Sequence, residues 1–344
     1  MKYQLSISIG KSSDKNSAST KAVKDCANLF SKLDYKDYNL FFAEEISTIR
    51  RYVLIFKELA KFYILLKKNS IVGIQYPMLN NVFKYFIKAA KVKGVRFFCI
   101  IHDIESLRLG GLDDALVSKE VENLNYYDCV IAHNHNMAKW LRDKGMTTNI
   151  QSLEVFDYLL NEVPARNINS VFSKTIVFAG NLAKSNFIYS LSQIDNWDFN
   201  VYGPNYKGDN QHKSNVVWRG EYSPDEVVYK LDGNFGLIWD GNKIEECDEL
   251  LGNYLKYNNP HKFSLYLAAG LPVIAPKNSA IGKVITDYQL GILIDNLTDL
   301  HNVEITEEEY RTYKANCDKV KNKIIKGGYF LKAVEVVENL LKSK

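Results

Sequence analysis

Short runs of β-branched and aromatic residues recur along the chain, separated by stretches whose apolar residues repeat at helical spacing. This alternation constrains the fold more than any other feature. It calls for βα units, and hence for parallel sheets covered by helices on both faces. Leu5, Ile7 and Ile9 alternate with small polar residues, and a polar loop follows from Gly10 to Asn16. Ala22, Val23, Cys26, Phe30 and Leu33 then recur at helical spacing. Ile71–Ile74, Val95–Ile101 and Cys129–Ala132 read as further strands. Helices are expected from about Ile46 to Lys68, over Asn81–Lys93 and over Met137–Lys144, with Gly94 and Gly145 where helix C-caps belong.

The second half repeats the pattern. Ile176–Ala179, Phe199–Tyr202, Val216–Trp218, Phe235–Trp239, Val273–Ala275 and Ile292–Ile294 are strand candidates, and a last helix lies near Gly328 to Lys342. Between the halves, Asn161 to Ser173 is polar and aperiodic and contains Pro164, as a linker would. A length of 344 residues, at roughly 150 per domain, favours two domains over one or three. Two successive α/β sheets imply a cleft between domains, a common place for a ligand.

Composition removes several classes of function. The 44 basic and 40 acidic residues nearly balance and are spread along the chain, so electrostatics give no case for nucleic-acid binding. A hydrophobic content of 46% with only 7 prolines excludes a disordered chain. The longest apolar stretch, Tyr52 to Leu66, is interrupted by Lys57, Glu58 and Lys61 and falls short of the roughly 20 residues of a spanning helix. Met1 to Gly10 lacks the apolar core of a cleavable signal. Cys26, Cys99, Cys129, Cys247 and Cys317 are odd in number and far apart, so reduced thiols in a cytoplasmic protein are expected.

The strongest local signal is Lys256-Tyr257-Asn258-Asn259-Pro260-His261-Lys262-Phe263-Ser264, leading into Leu265–Ala269 and Gly270-Leu271-Pro272. Asn259 is a good N-cap, Pro260 suits the first helical position, and Gly270 closes the helix before a strand. Free N–H groups at such a helix start, together with Lys262, can hold a diphosphate, although most capped helices in α/β proteins bind nothing. Two loops follow strands at their carboxyl ends, where ligands sit in open α/β sheets: Gly180–Ser185 and Tyr202-Gly203-Pro204. Glycine there permits close backbone approach, Asn181 supplies an amide, and Lys184 can meet a phosphate. Neither the GxGxxG fingerprint nor a P-loop is present.

In the first half, His102-Asp103-Ile104-Glu105-Ser106-Leu107-Arg108 directly follows a strand. A carboxylate beside an imidazole can supply a general base, while a histidine in this place is more often structural. Asn16, Ser17 and Ser19 are candidate caps and candidate ligand contacts. Cys129, His133 and His135 lack an evident fourth zinc ligand, so no metal site is expected. The acidic run Glu245 to Glu249 reads as a solvated loop or a lid.

Gly236-Leu237-Ile238-Trp239-Asp240-Gly241, the Tyr254–Lys262 segment, Ser264–Ile274 and the His102–Arg108 loop together resemble the GT-B glycosyltransferases. The likeness is to bacterial galactofuranosyltransferases and to the enzymes that glucosylate serine-rich repeat adhesins. It implies an α/β fold of two Rossmann-like domains facing each other across a cleft. Residues 1–165 would form the acceptor domain, 166–325 the nucleotide-sugar domain, and 326–344 a helix crossing back onto the first. Uridine diphosphate would then meet Asn259, Pro260, His261, Lys262, Phe263 and Ser264, with Lys184 or Asn181 and Tyr222, while Asn16 reaches from the first domain.

One departure bears on mechanism. Many retaining GT-B enzymes carry a pair of glutamates where this chain has Tyr257 and Leu265. Inversion at the anomeric carbon is therefore expected, and inversion needs a base. Asp103 is expected in that role, with His102 and Arg108 supporting the loop and His102 or Glu105 as alternatives. The family implies no cofactor and no metal, because helix dipole and basic residues stabilise the leaving diphosphate. It implies transfer of glucose from UDP-glucose to a serine-rich protein bearing N-acetylglucosamine, by a homo-oligomer (dimer or tetramer). The alternatives are a UDP-galactofuranose donor with a polysaccharide acceptor, and a non-catalytic subunit that chaperones a glycosylated partner.

Overall fold

The computed structural model describes residues 1–10, 18–43, 45–77, 81–164, 172–208, 215–247 and 249–343. They form two compact units, Met1–Leu153 with Tyr329–Lys344, and Glu154–Gly328.

In the first unit the elements run β1 (Lys2–Gly10), α1 (Ala18–Lys32), β2 (Lys36–Ala43), α2 (Thr48–Leu65), β3 (Ile71–Tyr76) and α3 (Asn81–Val92). They continue as β4 (Arg96–Ile101), α4 (Glu105–Arg108), α5 (Asp114–Leu124), β5 (Cys129–Ala132), α6 (His135–Asp143) and β6 (Asn149–Ser152). The strands make one parallel sheet in the order β2-β1-β3-β4-β5-β6. Its central strands β3, β4 and β5 are mostly apolar because helices cover both faces, and Val72, Ile74, Phe98, Ile100 and Val130 are wholly buried. The two strands the apolar runs did not announce, β2 and β6, are the edges of this sheet. Gly94 and Gly145 take positive φ after α3 and α6, as a helix-closing residue must.

The second unit contains β7 (Thr175–Ala179), β8 (Asp198–Tyr202), β9 (Val216–Trp218), α7 (Pro224–Lys230), β10 (Phe235–Leu237), α8 (Leu250–Tyr254) and α9 (His261–Ala268). It ends with β11 (Val273–Pro276), α10 (Gly282–Tyr288), β12 (Gly291–Ile294) and α11 (Glu307–Lys326). Its sheet is also parallel, in the order β12-β11-β10-β7-β8-β9. One side of the core gathers Phe178, Phe187, Trp197, Phe199, Phe235 and Trp239.

The compact units divide at Leu153, ahead of the domain boundary expected at residue 165. The chain beyond Leu153 is tied into the second unit well before the polar segment begins. Tyr158 N donates to Ile324 O at 3.3 Å, and the Ser264 hydroxyl donates to Phe156 O at 2.6 Å. Local polarity does not report such backbone pairing to distant elements. At the other end, α12 (Gly328–Lys342) belongs to the first unit from Tyr329 onward. Phe330 stacks edge-on against Phe30 at 4.9 Å, and the Glu338 carboxylate accepts from Lys2 Nζ and Tyr35 Oη, each at 3.0 Å.

Candidate functional site

The strand order of the second sheet reverses between β7 and β10, and open α/β sheets form a crevice at that place, outside the carboxyl ends of the strands. The loops leaving the strands there are held close by glycine. Gly203, after β8, has φ +135°, and a Cβ on it would lie 1.8 Å from Gly180 O, after β7. Any side chain at residue 203 would force the two loops apart.

Helix α9 closes the other side. A Cβ on Gly236 would fall 2.2 Å from the Tyr266 ring, so glycine in β10 is what lets α9 pack directly on the sheet. The Tyr266 hydroxyl accepts from Ala179 N at 2.9 Å, which fixes the helix to the end of β7. Burial pushes that phenol up from its ordinary value.

Lys262, in the first turn of α9, is thereby delivered to the reversal point. Its Nζ lies 2.6 Å from Asp240 Oδ1 and 3.2 Å from Trp239 O, both in the segment after β10. It also sits 4.7 Å from the centre of the Phe178 ring of β7. The Asp240 carbonyl in turn accepts from Cys247 Sγ at 3.2 Å. Just ahead of the helix, Asn258 Oδ1 is buried with no hydrogen-bond partner among the described residues. The start of a helix and a cation therefore share one place, which suits a phosphorylated ligand.

The remaining expected contacts separate into those at this place and those committed elsewhere. Asn259 does not cap α9. Pro260 occupies the N-cap position with extended backbone (φ −66°, ψ 135°), and the buried Asn259 amide donates to Glu154 O at 3.0 Å. Proline as cap leaves the helix to begin at His261, one residue later than the sequence pattern implies. Phe263 is a core residue and the Ser264 hydroxyl is taken by Phe156 O, so both hold the helix in place. The His261 ring lies against Tyr158 at 5.0 Å. Asn181 Oδ1 accepts from Ala183 N at 3.1 Å and from Asn205 Nδ2 at 3.2 Å, capping a short 3₁₀ turn that ends in the exposed Lys184. Tyr222 is exposed and donates to Arg219 O at 3.3 Å. Asn16 lies outside the described residues. Asp240, Gly236 and Tyr266 were not singled out as site residues, although all three stand inside motifs the sequence displays.

In the first unit, the His102–Arg108 loop leaves the carboxyl end of β4. His102 shares a 2.7 Å hydrogen bond between Nε2 and Gln75 Oε1, and burial pushes the imidazole down to about 4. His133 approaches Ile101 O through Nε2 at 3.1 Å; burial, with the neighbouring His102, pushes it down to about 3. Both rings are therefore neutral near neutral pH. Asp103 is partly exposed and faces Arg108 at 3.4 Å. The loop is held by Glu120, a buried carboxylate on the inner face of α5. Glu120 accepts from Tyr76 Oη at 3.0 Å, Glu105 N at 3.1 Å, Ser106 N at 2.9 Å and Ser106 Oγ at 2.6 Å. These bonds supply the cap that the four-residue helix α4 lacks at its own N-cap residue. A glutamate among Val117, Val121 and Leu124 on one helical face was the signal for it.

Comparison with known proteins assigns both units. Residues 4–155 match the family model "Glucosyltransferase 3-like, N-terminal domain", and residues 176–337 match "Glucosyltransferase 3-like, C-terminal domain". The β-1,6-galactofuranosyltransferase WbbI of Escherichia coli (strain K12) is 30% identical over 95% of this chain and 96% of its own. Glucosyltransferase 3 of Streptococcus gordonii is 27% identical over 72% of each chain. Among solved structures, the trehalose-6-phosphate synthase OtsA superposes with a TM-score of 0.62 at 9% identity, covering 99% of both chains. An α-glucosyltransferase in complex with UDP gives a TM-score of 0.55 at 12% identity, covering 98% of this chain and 99% of that one. The two parallel six-stranded sheets and these neighbours make the fold α/β of the GT-B type.

Proposed function

Because the chain belongs to the glucosyltransferase 3-like family of glycosyltransferases, we propose that it transfers a hexose from a uridine diphosphate donor without a bound metal. The observation that carries this reading is Lys262, held by Asp240 at the head of α9 where the strand order reverses. A diphosphate there meets a cation and the N–H groups of a helix start, and these stabilise the charge that develops on the leaving group.

The transfer is inverting. An acceptor hydroxyl attacks the anomeric carbon as its bond to the diphosphate breaks, and Asp103 takes the hydroxyl proton. Neutral His102, fixed on Gln75, orients the loop. Glucosyl transfer is the reading that the names of the glucosyltransferase 3 relatives support, and within it UDP-glucose is the proposed donor and a serine-rich protein bearing N-acetylglucosamine the proposed acceptor. A second reading, UDP-galactofuranose with a glycan acceptor, is favoured by the alignment to WbbI along nearly the whole of both chains. Release of UDP from a panel of UDP-sugars, with and without EDTA, tests all of this. Turnover with one hexose donor that survives chelation is expected. Dependence on added magnesium or manganese would overturn the metal-free reading, and silence with every donor would overturn catalysis.

A further inference from the structure

We propose that the first unit docks on anionic lipid surfaces through the outer faces of α2 and α3. The inner face of α2 is ordinary core, with Ile55, Leu59 and Phe62 buried. Its outer face is apolar as well. Ile49, Val53, Phe56, Ala60 and Ile64 follow one another at helical spacing on the exposed side, and Ile49, Phe56 and Ile64 are 80%, 65% and 78% exposed. On neighbouring α3, packed through the Phe62–Phe86 ring contact at 5.8 Å, Tyr85 and Val92 are 71% and 87% exposed. Single exposed apolar residues are common on soluble proteins, but a row of them along one helix with more on the next marks an interaction surface.

Charge identifies the occupant. Of the eleven charged residues between Thr48 and Lys93, ten are basic, Glu58 being the exception, although the whole chain carries only +4. Glu58 is already paired with Lys61 at 2.6 Å. Arg50, Lys57, Lys67 and Lys68 are exposed and make no ion pair among the described residues. A second copy laid two-fold on this face would bring one strongly basic surface against another, with Glu58 the one carboxylate on α2 to offset it, which repels. An anionic bilayer accepts both features at once, apolar side chains into the acyl boundary and ammonium groups among the headgroups. Among the described residues no helix is long and apolar enough to cross a membrane, so the contact is a peripheral one.

The test is co-sedimentation of the full chain with phosphatidylglycerol-containing and pure phosphatidylcholine vesicles. Binding to the anionic vesicles alone is expected, lost at about 1 M salt, where the Debye length is about 3 Å. The double variant Phe56→Glu/Ile64→Glu should lower the partition about tenfold or more, and Lys57→Gln/Lys68→Gln should lower it too. Both variants should keep the wild-type circular dichroism and UDP affinity. Equal binding by the double variant and wild type, or no binding by wild type, overturns the proposal. So does a fall in oligomer mass for Phe56→Glu/Ile64→Glu without any vesicle binding by wild type, which would make the face a contact between copies.

Discussion

Lys262 Nζ stands 2.6 Å from Asp240 Oδ1, the lysine contributed by the first turn of α9 and the carboxylate by the segment after β10. The pair is mostly buried, so the ammonium is held at a fixed height over the Phe178 ring. A diphosphate arriving here finds its cation already positioned.

Lys262→Ala should therefore weaken UDP affinity by about tenfold or more, the scale of one charge-assisted contact. It should also lower stability slightly, by about 1 kcal/mol, because Asp240 is left without its cation. Titration calorimetry giving wild-type affinity in this variant would remove Lys262 from the donor site.

Gly203→Ala tests how tightly the two strand-end loops are joined. The new methyl would meet Gly180 O in a backbone conformation with φ +135°. Strain and overlap together should lower stability by about 2–5 kcal/mol. A change within about 0.5 kcal/mol in urea unfolding, as for an ordinary surface position, would show that the loops separate freely.

Glu120→Ala addresses the loop after β4. Removing the carboxylate leaves the Glu105 and Ser106 N–H groups and the Tyr76 hydroxyl without their acceptor. The expected loss is about 2–4 kcal/mol, and kcat should fall while UDP affinity stays the same, since Lys262, the proposed diphosphate contact, belongs to the other unit. Unchanged kcat in a folded variant would separate this loop from the chemistry.

Asp103→Asn should lower kcat by about 10²–10⁴-fold, the usual range for losing a general base, with donor affinity retained. Near-normal turnover in a folded protein would move the base to His102 or Glu105.

Acid should destabilise the first unit through its buried histidines. His102 and His133 are pushed down to about 4 and about 3, below the ordinary 6.5 that they regain on unfolding. The unfolded state then binds more protons as pH falls below 6.5, so stability declines from there towards pH 4. At full slope each histidine removes about 1.4 kcal/mol per pH unit. Urea unfolding between pH 7 and pH 4.5 should show a shallower decline for His133→Asn than for wild type. Parallel profiles would count against the buried neutral ring.

The sequence alone determined the α/β class, ten of the strands, and the segment that carries Lys262. Those features follow from apolar periodicity and from turn and cap residues, which act over a few positions. The edge strands β2 and β6 escaped because an edge is only partly covered, and its residues need not be apolar. Only the tertiary structure decided which polar groups are free for a ligand. Asn259, Ser264 and Asn181 looked like donor contacts, yet the first two bond carbonyls of Glu154 and Phe156, and Asn181 caps a turn. Asp240 and Glu120 were no candidates at all, yet one holds Lys262 and the other holds the loop after β4. A hydrogen bond between residues a hundred positions apart leaves no periodicity behind it, so the local pattern names the candidates and the packed chain assigns their partners.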